Sequence, residues 1–303
     1  ARAAGMLDWL VSIQLADGAF QGGCIGQEPV QPAVFDTGQI LLGLAAGVAE
    51  FSEDRYKQSL HRAAGWLLDR QASDGSWPQE VSPCALPGPK AYETHVAWGL
   101  LEAGRVSGNT AYVDAALGNV RWAIGHQHAN GWFEKCCLTN PAQPLTHTLG
   151  YALRGVLEAY RVTHAGQYLD SAERTASGLL SALQADGGIP GRLNSQWRPA
   201  ARWVCLTGNV QIAICWFMLH RFTGKDNYLH AAKLANAFVR RTVRTTGPEE
   251  QRGGVKGAFP VAGEYGRYQY LNWAAKFFID AHVLESDLTG SPQEPDSGKP
   301  NGE

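Results

Sequence analysis

The chain has 303 residues, and its 26 Lys plus Arg against 28 Asp plus Glu leave a net charge of −2. That balance excludes the broad basic field of a nucleic-acid binder. Apolar residues make up 45% and charged residues only 18%, which is enough apolar matter for a sizeable core and excludes wholesale disorder.

At the N-terminus, ARAAGMLDWLVSIQ reads as the interior of a helix. Asp8 interrupts it and no cleavage pattern follows, so it is not expected to be a signal peptide, and the chain is expected to be a piece of a longer one. An apolar helix is expected within QILLGLAAGVAEF. An amphipathic one follows, in which Leu60, Ala63, Ala64, Leu67 and Leu68 recur at helical spacing between Arg62, Asp69 and Arg70. It stops at Asp74-Gly75, a turn pair. The alternation then repeats. Helices apolar nearly all round are expected in HVAWGLLEAG, LGYALRGVLEAY, NVQIAICWFMLHRF and NWAAKFFIDAHVL, and such helices are buried. Polar-faced helices separate them, and polar, Gly/Pro-rich loops enter each apolar helix. No unbroken apolar run reaches about 18 residues, so neither a membrane-spanning helix nor membrane insertion is expected. Cys24, Cys84, Cys136, Cys137, Cys205 and Cys215 form no CxxC pair. They read as reduced thiols of a cytoplasmic protein. Residues 1–287 are expected to form one domain, with 288–303 a disordered tail.

The alternation has a fixed period. Tyr56, Tyr112, Tyr168 and Tyr228 each open a unit that reaches a turn glycine 19 positions later, at Gly75, Gly131, Gly187 and Gly247. With Gly18 included, the glycines are spaced by 57, 56, 56 and 60 residues. A repeat of this kind is one helical pair that cannot bury its own apolar face. Five outer, polar-faced helices and five inner, apolar ones are satisfied by a closed ring of hairpins with the loops at one end of the axis. The expected fold is all-α: an α/α toroid of five to six helical hairpins. A straight solenoid would give both helices of each pair similar amphipathicity.

The segment RAAGWLLDRQASDGSW, with Gln71, Asp74, Gly75 and Trp77, resembles the QW motif of terpenoid-cyclase and prenyltransferase toroids. Weaker copies run from Gln14 to Phe20 and from Gln127 to Trp132. The DxDD and DDxxD motifs of terpene chemistry are missing. Zinc-dependent relatives on this fold suggest Cys136, Cys137, His147 and His95 as ligands, but their spacing matches no zinc pattern. FDTGQILLGL, QPLTHTLGYALRGVLEAY, LTGNVQIAICW and GGVKGAFPVAGEYGRYQYLNWAAKFF resemble toroid proteins of bacterial polysaccharide gene clusters. By fold these are related to glucuronyl C5-epimerases, polysaccharide lyases and six-hairpin glycosidases. The resemblance implies work on carbohydrate.

The loop ends support the same idea. Inner helices that all start at one end would gather their positive dipole ends there, favouring an anionic ligand. Thr37, Thr94 and Thr207 read equally well as helix N-caps. Gln39, His95, His147 and Gln211 lie on otherwise apolar helices, and a buried polar side chain needs a partner. Trp77, Trp132 and Tyr265 are candidates for stacking on sugar rings, and Asp36, Gln39, Arg202, Asn209, Gln211 and Asn272 for binding a substrate, expected to be an acidic oligo- or polysaccharide. β-Elimination or C5 epimerisation of a uronate needs a carboxylate neutraliser, a base and an acid, and no cofactor. His147 is the candidate base, and Tyr92, Tyr268 and Tyr270 are the candidate acids, with Glu93 and His95 in the same ionisable cluster. Hydrolysis would instead need two carboxylates, for which Asp36, Glu93, Glu134 and Glu264 are available. A protein that only holds a glycan is the non-enzymatic alternative.

Overall fold

The computed structural model describes residues 2–290. Among these there are ten α-helices: α1 (Arg2–Ile13), α2 (Val34–Phe51), α3 (Asp54–Arg70), α4 (Thr94–Ser107), α5 (Thr110–Gly125), α6 (Thr146–Thr163), α7 (Gly166–Ala182), α8 (Leu206–Thr223), α9 (Asp226–Arg240) and α10 (Asn272–Thr289). The short strands β1 (Val204–Cys205) and β2 (Ala258–Phe259) pair antiparallel in the loops before α8 and α10.

The even-numbered helices form the inner layer. α2 packs on α4, α4 on α6, α6 on α8 and α8 on α10, while each odd-numbered helix lies outside the hairpin it belongs to. The chain is an α/α toroid of five hairpins. Fourteen of the eighteen residues of α8 are buried, against seven of seventeen in the outer helix α3. This is the contrast that an apolar inner and an amphipathic outer helix require. α10 packs chiefly on α8 and α9 and α2 on α1, α3 and α4, and these two ends of the row face one another across a cavity that both line.

α2 also departs from the sequence expectation. It is 18 residues long with a mean hydropathy of 1.3, by length and composition apolar enough to cross a membrane. Here it is an inner helix whose Leu41, Leu44, Ala45 and Val48 pack into the core, which accounts for its composition. α10 continues to Thr289, so the break expected at Leu288 falls in its last turn; residues 291–303 of the expected tail lie outside the described residues.

The repeating sequence motif is the joint between hairpins. Gly75 has φ +92°, and a Cβ there would stand 2.5 Å from the Gly118 carbonyl oxygen on α5. The turn therefore lies directly on the next outer helix, where only glycine fits. Gln71 Nε2 donates both to the Gly75 carbonyl (3.0 Å) and to the Ala115 carbonyl on α5 (2.9 Å). Gln14 does the same with Gly18 (2.8 Å) and Ser59 (3.0 Å), and Gln127 with Gly131 (3.4 Å) and Ser171 (2.9 Å). Asp74 Oδ1 accepts from Ser76 N–H at 2.9 Å, closing the turn as an Asx motif. Trp77 is fully buried and donates to the Leu67 carbonyl at 2.9 Å.

The opposite end of the axis, where the inner helices finish, holds an ion-pair network. Arg154 donates to Glu158 at 2.7 Å and Arg161 to both Glu158 and Glu102; Glu158 is buried. Cationic side chains at helix C-termini complement the helix dipoles.

Replacing Gln71 with Ala removes two side-chain hydrogen bonds across a hairpin joint while leaving the turn glycine in place. Chemical denaturation is expected to show a loss of about 1–2 kcal/mol. Gly75→Ala is expected to cost more, because it adds a clash with α5 to the positive φ.

Candidate functional site

The inner helices begin at one end of the ring, and a cavity of ≈ 530 Å³ opens there. α2 contributes Phe35, Asp36, Gln39, Leu42 and Gly43; α6 contributes His147, Thr148 and Tyr151; α10 contributes Trp273, Lys276 and Phe277. The loops add Gly23, Ser82, Cys84, Tyr92, Leu138 and Tyr265. Side chains near the starts of α2, α6 and α10 therefore converge on this cavity.

The threonines at these helix starts lock the ring together. Thr37 Oγ1 accepts the Phe20 N–H (3.0 Å), Thr94 Oγ1 donates to the Ala152 carbonyl of α6 (3.0 Å), and Thr148 Oγ1 donates to the Cys136 carbonyl (2.8 Å). Thr37 and Thr94 bind loop and neighbouring-helix backbone rather than capping their own helices, and Thr148 also reaches the Leu145 carbonyl at the start of α6 (2.8 Å).

Among the described residues, Asp36 is the only carboxyl side chain lining the cavity. Burial pushes its pKa up to about 6, against the lowering effect of its own and the Gly23 backbone N–H groups. Its Oδ2 is buried without a hydrogen-bond partner. His147 moves the other way: burial, aided by the Arg192 charge, lowers its pKa to about 3, so the ring is neutral at neutral pH. Its Nδ1 has no partner. The imidazole lies against the Tyr265 ring (centroids 4.5 Å apart, planes 33° apart) and meets Tyr151 edge-on at 5.6 Å. Burial raises the pKa of Tyr92, Tyr151 and Tyr265, holding all three hydroxyls protonated. The Tyr265 hydroxyl accepts from Trp273 Nε1 at 2.9 Å. Among the described residues, Lys276 is the only Lys or Arg in the lining; it pairs with Asp280 at 2.6 Å and lies over Phe277.

Of the residues anticipated from sequence, the cavity brings together Asp36, Gln39, Tyr92, His147 and Tyr265. His95 sits below them. Its Nδ1 is 2.7 Å from Gln39 Nε2, and its ring is packed against Tyr151 (4.5 Å) and Trp98 (5.1 Å). Burial drives its pKa well below the ordinary value. Gln211 shares a small axial void with His95 and Arg154.

The remaining candidates lie elsewhere. Glu93 is buried behind Tyr92, where its Oε2 accepts the Lys90 backbone N–H at 3.2 Å; it braces the 3₁₀ turn that presents Tyr92. Burial raises its pKa to about 8. Trp77 and Trp132 are core residues, the latter packed edge-on against Trp197 at 5.2 Å. Asn209 accepts the Ile189 N–H (2.8 Å) and donates to the Ala235 carbonyl (2.8 Å), the joint role that glutamine plays in other repeats. Tyr268, Tyr270 and Asn272 are on the surface outside the lining, and Arg202 lies in a separate outer hollow with Trp203 and Glu264. Glu134 pairs with His128 on the surface at 2.8 Å. Among the described residues no group of three or more His, Cys, Asp or Glu side chains is placed to hold a metal ion.

Sequence reasoning missed Phe35, Tyr151, Trp273, Lys276 and Phe277. A signal existed for two of them: Tyr151 follows His147 by one helical turn and Lys276 follows Asn272 by one, so each shares the face of a residue already singled out.

No protein-family model matches the chain, and no curated protein matches it. Solved structures do. An unsaturated glucuronyl hydrolase specific for heparin matches with a TM-score of 0.72 and 15% identity, over 94% of this chain and 80% of that one. A D-mannose isomerase matches with 0.70 and 13%, over 95% and 80%. An α-1,6-mannanase of glycoside hydrolase family 76 from Salegentibacter matches with 0.65 and 13%, over 94% and 86%. These similarities establish the α/α toroid fold.

Glu93 gives a test of the environment behind the cavity. Its folded pKa of about 8 lies above the ordinary 4.5, so burial favours the protonated form and the folded state loses stability as pH rises from the ordinary value through about 8. Glu93→Gln keeps an oxygen acceptor for Lys90 and cannot ionise. Thermal melts across pH are expected to show the variant gaining on the parent as pH rises. Parallel curves would contradict the assignment.

Proposed function

We propose that this chain is a carbohydrate-active enzyme that moves a proton on a uronate-bearing oligo- or polysaccharide, with Asp36 as the proton-transfer group. The observation that carries the reading is a lone carboxyl group among the described residues of an aromatic-walled cavity, with a buried, unpartnered oxygen and a pKa of about 6. Aromatic faces suit sugar rings, and a group that titrates near neutrality can serve as acid or base. Hydrolysis by paired carboxylates needs a second carboxyl group across the substrate, and Glu93 is occupied behind Tyr92.

The chemistry that fits one carboxyl group is elimination or epimerisation at C5 of a uronate. Lys276 neutralises the sugar carboxylate and so acidifies the C5 proton. Asp36 in its carboxylate form takes that proton. The protonated hydroxyl of Tyr265 or Tyr92 then delivers a proton, to the leaving oxygen in elimination or to the opposite face of C5 in epimerisation. With its pKa near 3, His147 is a weak base; in this reading it hydrogen-bonds substrate, and Asp36 takes the role that sequence suggested for the histidine.

A second reading has one specific support. Two of the matching structures are unsaturated glucuronyl hydrolases. Hydrating the double bond of an unsaturated uronyl group also needs one acid, which protonates the carbon and then accepts a proton from water. Here Asp36 would act first in its protonated form.

The ultraviolet absorbance of the unsaturated uronate separates the two. Incubation with intact uronans is expected to raise it for elimination, or to leave it unchanged with solvent deuterium entering C5 for epimerisation. With unsaturated oligosaccharides it would fall for hydration. In each case Asp36→Asn is expected to lower turnover by about 10²–10⁴-fold. The pH profile of kcat/KM should break near 6, with activity rising through the break if Asp36 is the base and falling if it is the acid. An unchanged rate for the variant would refute the role.

A further inference from the structure

The rim of the cavity carries two cysteines that the acid–base reading leaves unused. Cys24 opens a turn in which the Gln27 N–H returns to its carbonyl at 3.1 Å, and it directly follows Gly23, which lines the cavity. Cys84 sits in the turn closed by the Ala85 N–H on the Ser82 carbonyl (2.9 Å) and itself lines the cavity. Both are exposed, whereas Cys136, Cys137, Cys205 and Cys215 are buried. The two turns touch: a methyl group on Gly22 would stand 2.8 Å from Pro83 Cδ, and one on Gly23 would stand 3.9 Å from Pro83 Cγ. The turn holding Cys24 thus packs through Gly22 against Pro83, the residue before Cys84, at one edge of the cavity. A disulfide requires Cα atoms within about 7 Å, a separation that adjoining surface turns are free to adopt. The same contact borders the acid–base group, since the methyl on Gly22 would also stand 3.4 Å from Asp36 Oδ2.

We propose that Cys24 and Cys84 are a modification site: a small-molecule disulfide oxidises them to an intramolecular disulfide that ties the two turns together beside Asp36. One cysteine thiolate attacks glutathione disulfide, giving a protein–glutathione mixed disulfide and one glutathione, which takes up the thiol proton. The second cysteine thiolate attacks the protein sulfur of that mixed disulfide and releases the second glutathione. Two thiols are oxidised and one glutathione disulfide is reduced to two glutathiones. The cross-link restrains both turns at the cavity edge.

The test is direct. The folded protein is titrated with a thiol reagent before and after treatment with glutathione disulfide, then digested without reduction and weighed. The two exposed thiols are expected to react before treatment and not after. The intact mass should fall by two hydrogens, and one cross-linked peptide pair should join the segments around Cys24 and Cys84. Cys24→Ser should instead keep one glutathione on Cys84. Wild-type protein that retains glutathione on both cysteines, or that cross-links only between molecules, would overturn the proposal. Mass and thiol count report on this site alone, so the result stands apart from whether Asp36 acts on a glycan.

Discussion

The whole ring depends on one contact, the seat of each interhelical turn on the backbone of the next outer helix. Gly75 brings the turn to within a Cβ radius of the Gly118 carbonyl, and Gln71 spans the joint with one hydrogen bond to its own turn and one to α5. Because Gln14 and Gln127 repeat the arrangement, successive hairpins meet with nearly the same geometry, and equal rotation at each joint bends the row into a ring. The fourth joint reaches the same end by other means: Gly187 lies on Leu234, and Asn209 supplies the hydrogen bonds.

That curvature gives the site its character. It sends the starts of the inner helices to one axial end and buries their polar side chains among aromatic rings. Burial then acts in opposite directions on acids and bases. It lifts Asp36 toward neutrality, suppresses the charge on His147 and holds the tyrosine hydroxyls protonated. Near neutral pH the imidazole and phenol groups of the cavity are uncharged, Lys276 is paired with Asp280, and Asp36 is poised between its two forms. Such a set can handle a proton without presenting strong charge to a sugar.

The legible part of the site followed from helix position. Asp36, Gln39 and His147 stood out as polar residues on the first turns of apolar helices, and the ring brings those turns together. Trp77 and Trp132 share the loops and the aromatic chemistry of a sugar platform, yet both are consumed by the hairpin joints: residue type alone does not say which face of a loop is already covered. Glu93 is the same lesson in charge. Its neighbour Tyr92 reaches the cavity, and one residue further along the 3₁₀ turn the side chain points back to the Lys90 backbone. Tyr151, Lys276 and Phe277 were hidden for the opposite reason, because each looks like an ordinary residue of a core or surface helix until the axis is located.

By itself the sequence determined the helical hairpin, its period and the division into covered and covering helices. These are local consequences of apolar spacing and of turn glycines, repeated often enough to be read without coordinates. Only the tertiary structure decided how α2 and α10 face each other across the cavity, and which polar side chains share that space. It also made Asp36, rather than His147, the group that titrates near neutrality. Those outcomes depend on distances between residues far apart in the chain and on how completely each is removed from water, and neither quantity is encoded in the spacing of residue types.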